Sequence, residues 1–168
     1  MNKSVASLLS MGVLASSAAM AQSTTSPAGL ISERSISASA ALDLATTALE
    51  KCRADGYKVS ITVLNRHSRT AVVISDDGVN PHTLENSMRK AYTSFTTRSP
   101  SVDMSKRTQP GLAGFMQLEK ITTIEGGLPI FSGKELIGAV GVSGAPGGEK
   151  DSVCAQAGID KIAKSIGN

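Results

Sequence analysis

The sequence has no tryptophan, and aromatic side chains are scarce throughout, with three Phe and two Tyr in 168 residues. A large aromatic core is therefore excluded. The interior must be built from Ala, Val, Ile, Leu and Met, which favours close helix-on-sheet contact through small side chains. Clustered Lys and Arg are also absent. The formal charge of +3 is spread along the chain, which excludes the basic footprint of a nucleic-acid-binding surface. Beyond the first residues no stretch approaches the roughly 18 continuous apolar residues of a spanning helix. Cysteine is limited to Cys52 and Cys154, and histidine to His67 and His82. No C-x-x-C-H attaches a haem covalently, and two isolated histidines without clustered cysteines do not make a zinc site.

What is present begins with a leader. Met1-Asn2-Lys3 gives a positive start, Val5 to Leu14 is mostly apolar, and Ala19-Met20-Ala21 is an A-x-A cleavage pattern. Residues 1–21 read as a secretory signal peptide, which predicts a periplasmic or secreted protein. Residues 22–36 are rich in Ser and Thr and read as a flexible leader, leaving 37–168 as one domain. An exported chain is permitted a disulfide. Cys52 and Cys154 each fall on the apolar side of a predicted helix, so a bridge and a pair of buried thiols both remain open.

Along the domain, a helix is predicted from Ser37 or Ser39, with Leu42, Ala45, Leu49 and Cys52 as its buried stripe and Gly56 at its left-handed end. Val59, Ile61 and Val63 alternate with polar residues as in a half-buried strand, and Thr70 to Ile74 returns as its hairpin partner. Turn residues 76–81 lead into a second helix from His82 to Thr97, with Leu84, Met88, Ala91 and Phe95 as its apolar stripe and Pro100 beyond it. Residues 101–118 suggest short helical turns. Ile121 to Ile124 suggests a short strand, and a hairpin follows from Leu128 to Phe131 and Leu136 to Val142. Asp151 is placed to cap a last helix that buries Ile159, Ile162, Ala163 and Ile166. The order of elements predicts an α+β single domain: a central antiparallel sheet of about five strands with flanking helices.

Gly126-Gly127-Leu128-Pro129-Ile130, the run from Gly138 to Gly144, and Asp151 with Cys154-Ala155 and Gly158 resemble the signature of the GlcG/HbpS family. Lys90-Ala91-Tyr92-Thr93 resembles the same family's Lys-Ala element, and the likeness runs in order from about residue 37 to 165. It implies a central antiparallel sheet with flanking helices, assembly into homo-oligomers, and association with haem binding, haem sensing or haem breakdown. The chain departs from the family where Asn65-Arg66-His67 stands in place of an Asp and a Gly turn, and where Ser75-Asp76-Asp77 replaces Arg-x-Asp.

Candidate site residues follow. Imidazole is a common axial ligand to haem iron. His82 lies at the start of a helix carrying Met88, Lys90 and Tyr92, and is the candidate metal ligand; the alternative is a surface residue. Lys90 and Arg89 could meet haem propionates, and Tyr92 could stack on a porphyrin or hydrogen-bond to it. Met88 and Met104 read as core, and His67 as a turn residue. The glycines around 126 and 141–144 fit no phosphate-binding loop and suggest close backbone approach instead. Ser143 stands in Gly-Val-Ser-Gly, outside the hydrolase G-x-S-x-G pattern. With no nucleophile–base pair and no carboxylate pair in view, a binding module for haem or a related tetrapyrrole is favoured over an enzyme. The rival expectations are an accessory subunit or enzyme acting on haem or a small organic acid, and an assembly protein without a ligand.

Overall fold

A computed structural model describes residues 28–107 and 113–168. The segment expected to be a signal peptide, 1–21, the first part of the expected leader and the Pro110-Gly111 interruption lie outside the described residues. Before Glu33, Ala28 and Gly29 form a turn and Leu30 and Ile31 are exposed. Glu33 to Asn168 form one compact unit.

The elements in chain order are α1 (Ala38–Ala54), β1 (Ser60–Asn65), β2 (Thr70–Ser75), α2 (His82–Thr97), a short α3 (Asp103–Lys106), a 3-10 turn (Ala113–Gln117), β3 (Gly127–Ser132), β4 (Glu135–Ser143), α4 (Gly148–Ile162) and a final 3-10 turn (Ala163–Ile166). Among the described residues, four antiparallel strands form one sheet in the order β2-β1-β4-β3. The expected strand at Ile121 to Ile124 is not among them. Ile121 is buried there, and the segment is held by side chains: Thr122 N–H donates to Thr93 Oγ1 at 2.9 Å and Ser101 Oγ donates to the Ile124 carbonyl at 2.7 Å.

One face of the sheet is covered by α1 and α4, the other by α2. Between the sheet and the helix pair lies an apolar core that includes Leu44, Ala45, Ala48, Val59, Ile61, Val63, Val140 and Val142. Ser37 caps α1 through its hydroxyl, which accepts from Ala40 N–H at 3.2 Å, and Gly56 follows the helix at φ +83°. The buried residues of α1 are Ala40, Ala41, Leu44, Ala45, Ala48, Leu49 and Cys52; Leu42, expected inside, is half exposed. Small residues let α4 come close: a Cβ on Gly158 would lie 2.5 Å from the Leu44 carbonyl oxygen. At this seam Cys52 and Cys154, both fully buried, form a disulfide with Cα atoms 5.6 Å apart. The leader expected through residue 36 joins the domain earlier. Ile36 is buried and its N–H donates to the Ile137 carbonyl at 3.1 Å, while Arg34 pairs with Glu135 at 2.8 Å. Asp151 is not the cap of α4. Gly147 occupies that position, and Asp151 turns inward to a different partner.

Candidate functional site

The sequence and structure converge on α2 and what it touches. Its sheet-facing side is polar: Thr83, Ser87, Lys90 and Ser94 are buried alongside Ala91. Thr83 Oγ1 and Ser60 Oγ are 2.8 Å apart, as are Ser87 Oγ and Thr62 Oγ1. The polar residues of β1 therefore face not solvent but a helix, and β1 is buried on both sides along most of its length. The helix can approach this closely because the sheet beneath it carries glycines. A Cβ on Gly141 would sit 2.0 Å from the Ser87 carbonyl oxygen, and one on Gly127 would sit 2.2 Å from that of Lys90. Short hydroxyl side chains suit the narrow gap and satisfy one another within it. The hydrophobic stripe expected to face the core is displaced to the flank. Leu84 is half exposed, and Met88 and Phe95 are half-buried, leaving Ala91 as its fully buried member.

Lys90 is the most unusual member of this face. Its side chain is 1% exposed, and its ammonium donates to Asp151 Oδ2 at 2.6 Å and to the Val142 carbonyl at 2.9 Å. The second oxygen of Asp151 accepts from Ala145 N–H at 3.0 Å. The pair links α2 on one face of the sheet to α4 on the other, past Gly126. A Cβ there would meet Lys90 Nζ at 2.8 Å, and Gly126 is held at φ +121°, where only glycine is at ease. Burial pulls the Lys90 ammonium below its usual range, against the attraction of Asp151; burial likewise pushes the Asp151 carboxyl up, against Lys90. For Lys90 to reach a propionate at the surface, both of its internal hydrogen bonds would have to break. In sequence, Asp151 reads as a helix cap. The signal for its actual role was the family pattern that contains both residues, since no local spacing connects positions so far apart.

The outward side of α2 carries the other candidates. His82 is exposed at the first turn, and no hydrogen bond or ion pair among the described residues engages its ring. Tyr92 is half-buried ten residues further on, about 15 Å along the helix axis, so the two do not share one pocket. Tyr92 lies against the 118–121 segment. The Lys120 ammonium stands 5.6 Å from its ring centroid, and Tyr92, Thr96, Leu118, Glu119, Lys120 and Ile121 line a cavity of about 260 Å³. Arg89 reaches the same segment, donating to the Ile121 carbonyl at 3.0 Å, and its Nε is buried with no partner. Sequence reasoning missed Lys120, because its place beside Tyr92 depends on an irregular segment. Met104 is core, 1% exposed, and His67 is an exposed turn residue. Among the described residues no group of three His, Cys, Asp or Glu side chains could hold a metal ion, and no helix is long and apolar enough to cross a membrane.

Comparison with known proteins agrees with this architecture. An uncharacterised 15.0 kDa protein from the dhaT-dhaS intergenic region of Citrobacter freundii is 29% identical over 129 residues, 74% of this chain and 90% of the relative. A crystal structure of a double mutant of HbpS from Streptomyces reticuli superposes with a TM-score of 0.76 at 27% identity, covering 84% of this chain and 97% of that one. Protein ORFY of Klebsiella pneumoniae superposes with a TM-score of 0.77 at 25% identity, covering 83% and 98%. A haem complex of PduOC shares the fold at a TM-score of 0.70 and 23% identity, covering 76% and 95%. The family model described as "Haem degrading protein HbpS-like" matches residues 36–160, nearly the whole compact unit, and the chain belongs to that family.

Proposed function

We propose that the protein is an exported haem-binding protein that acts as a homo-oligomer in haem sensing, buffering or delivery. The observation that carries this reading is membership of the HbpS-like family across residues 36–160. The haem complex of PduOC, which shares the fold, is consistent with it. Export is supported by the signal-peptide pattern of residues 1–21 and by the buried Cys52–Cys154 disulfide, since such bonds persist chiefly in oxidising compartments.

Haem is the cargo of such a protein, and the residues present fit it in part. His82 offers an unengaged, exposed imidazole, the donor type that commonly ligates haem iron. Lys90 serves the site indirectly, by fixing α2 to the sheet and to α4 through its buried pair. Lys120, the exposed cation beside Tyr92, is the residue present to meet the carboxylates of the cargo; it and Tyr92 lie about 15 Å along α2 from His82, so one haem would have to span the two positions. Tyr92 supplies a flat apolar ring beside Lys120.

The test is a haemin titration of the chain from residue 22 onward, followed in the Soret region. The reading requires a saturable shift that His82→Ala abolishes or moves, and that Lys120→Ala weakens without moving. A spectrum identical to free haemin would remove haem as the cargo; an unchanged spectrum and affinity in His82→Ala would remove His82 as the ligand. The family's description favours a second reading, haem breakdown. Adding reductant in air separates the two, since breakdown bleaches the Soret band with time whereas binding alone preserves it.

A further inference from the structure

The two edges of the sheet are treated differently. At β3 the outer edge is closed by the chain itself. The Gly127 carbonyl accepts from Ser101 N–H at 3.0 Å, the Phe131 carbonyl accepts from Asn168 Nδ2 at 2.8 Å, and Pro129 has no N–H to offer. At β2 none of these devices is present. Thr70-Ala71-Val72-Val73-Ile74-Ser75 contains no proline and no charge, and its one irregularity lies at the Thr70 end. Among the described residues no hydrogen bond from another element reaches its outer backbone. Val73 is 42% exposed, on the strand face that does not pack against α1's core. A bare, apolar, proline-free edge is a template for another strand.

From this edge and the charges at its ends we infer that β2 pairs antiparallel with β2 of a second copy of this chain, joining two four-stranded sheets into one. The charge pattern selects this occupant. Arg66, His67 and Arg69 crowd one end of the strand, and Asp76 and Asp77 the other. Arg69 and Asp77 are both exposed and carry no ion pair among the described residues. A twofold axis through a continuous sheet requires a residue to face its own copy, because facing residues must lie on the same side of the pleat. Centring on Val73 places Val73 opposite Val73 and Val72 opposite Ile74 of the second copy. The same antiparallel pairing brings the basic end with Arg69 alongside the acidic end with Asp77 of the second copy, twice by symmetry, although the bulge at Ala71 keeps the two from facing each other on one side of the pleat. Apolar pairs of this kind and opposite charges across strands are both favourable. This gives the homo-oligomer proposed above a specific surface, and it is tested without haem, so the failure of either can be told from the failure of the other.

The decisive experiment is oxidative cross-linking of Val73→Cys in the ligand-free chain, read on a non-reducing gel beside Thr70→Cys. Facing strand residues lie about 4.5–5.5 Å apart, within reach of a disulfide. The inference requires a covalent dimer for Val73→Cys and none for Thr70→Cys. It also requires that Val73→Lys, which sets two like charges on the axis at an already exposed position, raise the dimer dissociation constant at least tenfold with an unchanged circular dichroism spectrum. Arg69→Glu should weaken the dimer, and adding Asp77→Arg should restore it. A chain that is monomeric at all concentrations, or whose assembly is indifferent to both Val73 variants, would overturn the proposal.

Discussion

Lys90 shows what a single side chain does in this fold. A charged residue this deeply buried is tolerable because Asp151 and a carbonyl complete its coordination. Lys90→Met alone strands the Asp151 carboxylate and should cost about 3–5 kcal/mol in urea unfolding. Adding Asp151→Leu should recover most of that loss. If the single and double variants lose the same stability, the pair is not the unit that matters. Asp76 behaves differently. The Arg53 guanidinium, bonded to it at 2.7 and 3.2 Å, holds its carboxyl below the usual range. The folded-state pKa is depressed, so the stabilisation is present above the unfolded value of about 4 and is lost as pH falls through the folded value. Thermal melts should therefore show Asp76→Asn less stable than the parent at neutral pH, with the difference closing in acid. A gap that persists unchanged at low pH would assign the effect to packing instead. At this scale the sequence was least informative. Lys90 was marked by its motif, but its direction was hidden, because nothing local separates a lysine that points to solvent from one that crosses a sheet to meet Asp151.

At the scale of elements the determining feature is how closely the helices approach. Gly127 and Gly141 let the backbone of α2 descend onto β3 and β4, and Gly158 does the same for α4 against α1. Gly141→Ala places a methyl 2.0 Å from a carbonyl oxygen, so α2 must lift and break the Thr62–Ser87 contact. Overpacking of this kind costs about 1–3 kcal/mol, occasionally more. A midpoint of denaturation unchanged in Gly141→Ala would show that the helix has slack. The same geometry explains where sequence reasoning succeeded and failed. Helix bounds, the hairpins and the meaning of the glycines were legible, since periodicity, turn residues and Gly runs are local signals. The inward face of α2 was misread. Hydrophobic periodicity pointed to Leu84, Met88 and Phe95, whereas a helix pressed against glycine backbone buries Thr83, Ser87 and Ser94 because they are short. The strand expected at residues 121–124 failed for a related reason: its backbone is satisfied by hydroxyls of α2 and Ser101 rather than by a neighbouring strand.

Across the whole molecule, the disulfide and the family assignment set the context. Cys52 and Cys154 are 102 residues apart in sequence and close most of the domain into one loop. Removing such a bond from a small domain typically costs about 2–5 kcal/mol. Cys52→Ser with Cys154→Ser should therefore unfold at clearly lower denaturant, and a chain expressed in a reducing compartment should resemble the variant. The candidate site was legible in part. His82 and Tyr92 stand on the outward side of α2, Lys90 lies within, and Lys120 joins Tyr92 by a fold-dependent contact. Haem binding through His82 is the central claim, and the most direct measurement is the haemin titration of the chain from residue 22, with its His82→Ala variant alongside. A saturable Soret shift in the parent that is lost or displaced in the variant is the predicted result. A parent spectrum no different from free haemin would contradict the claim.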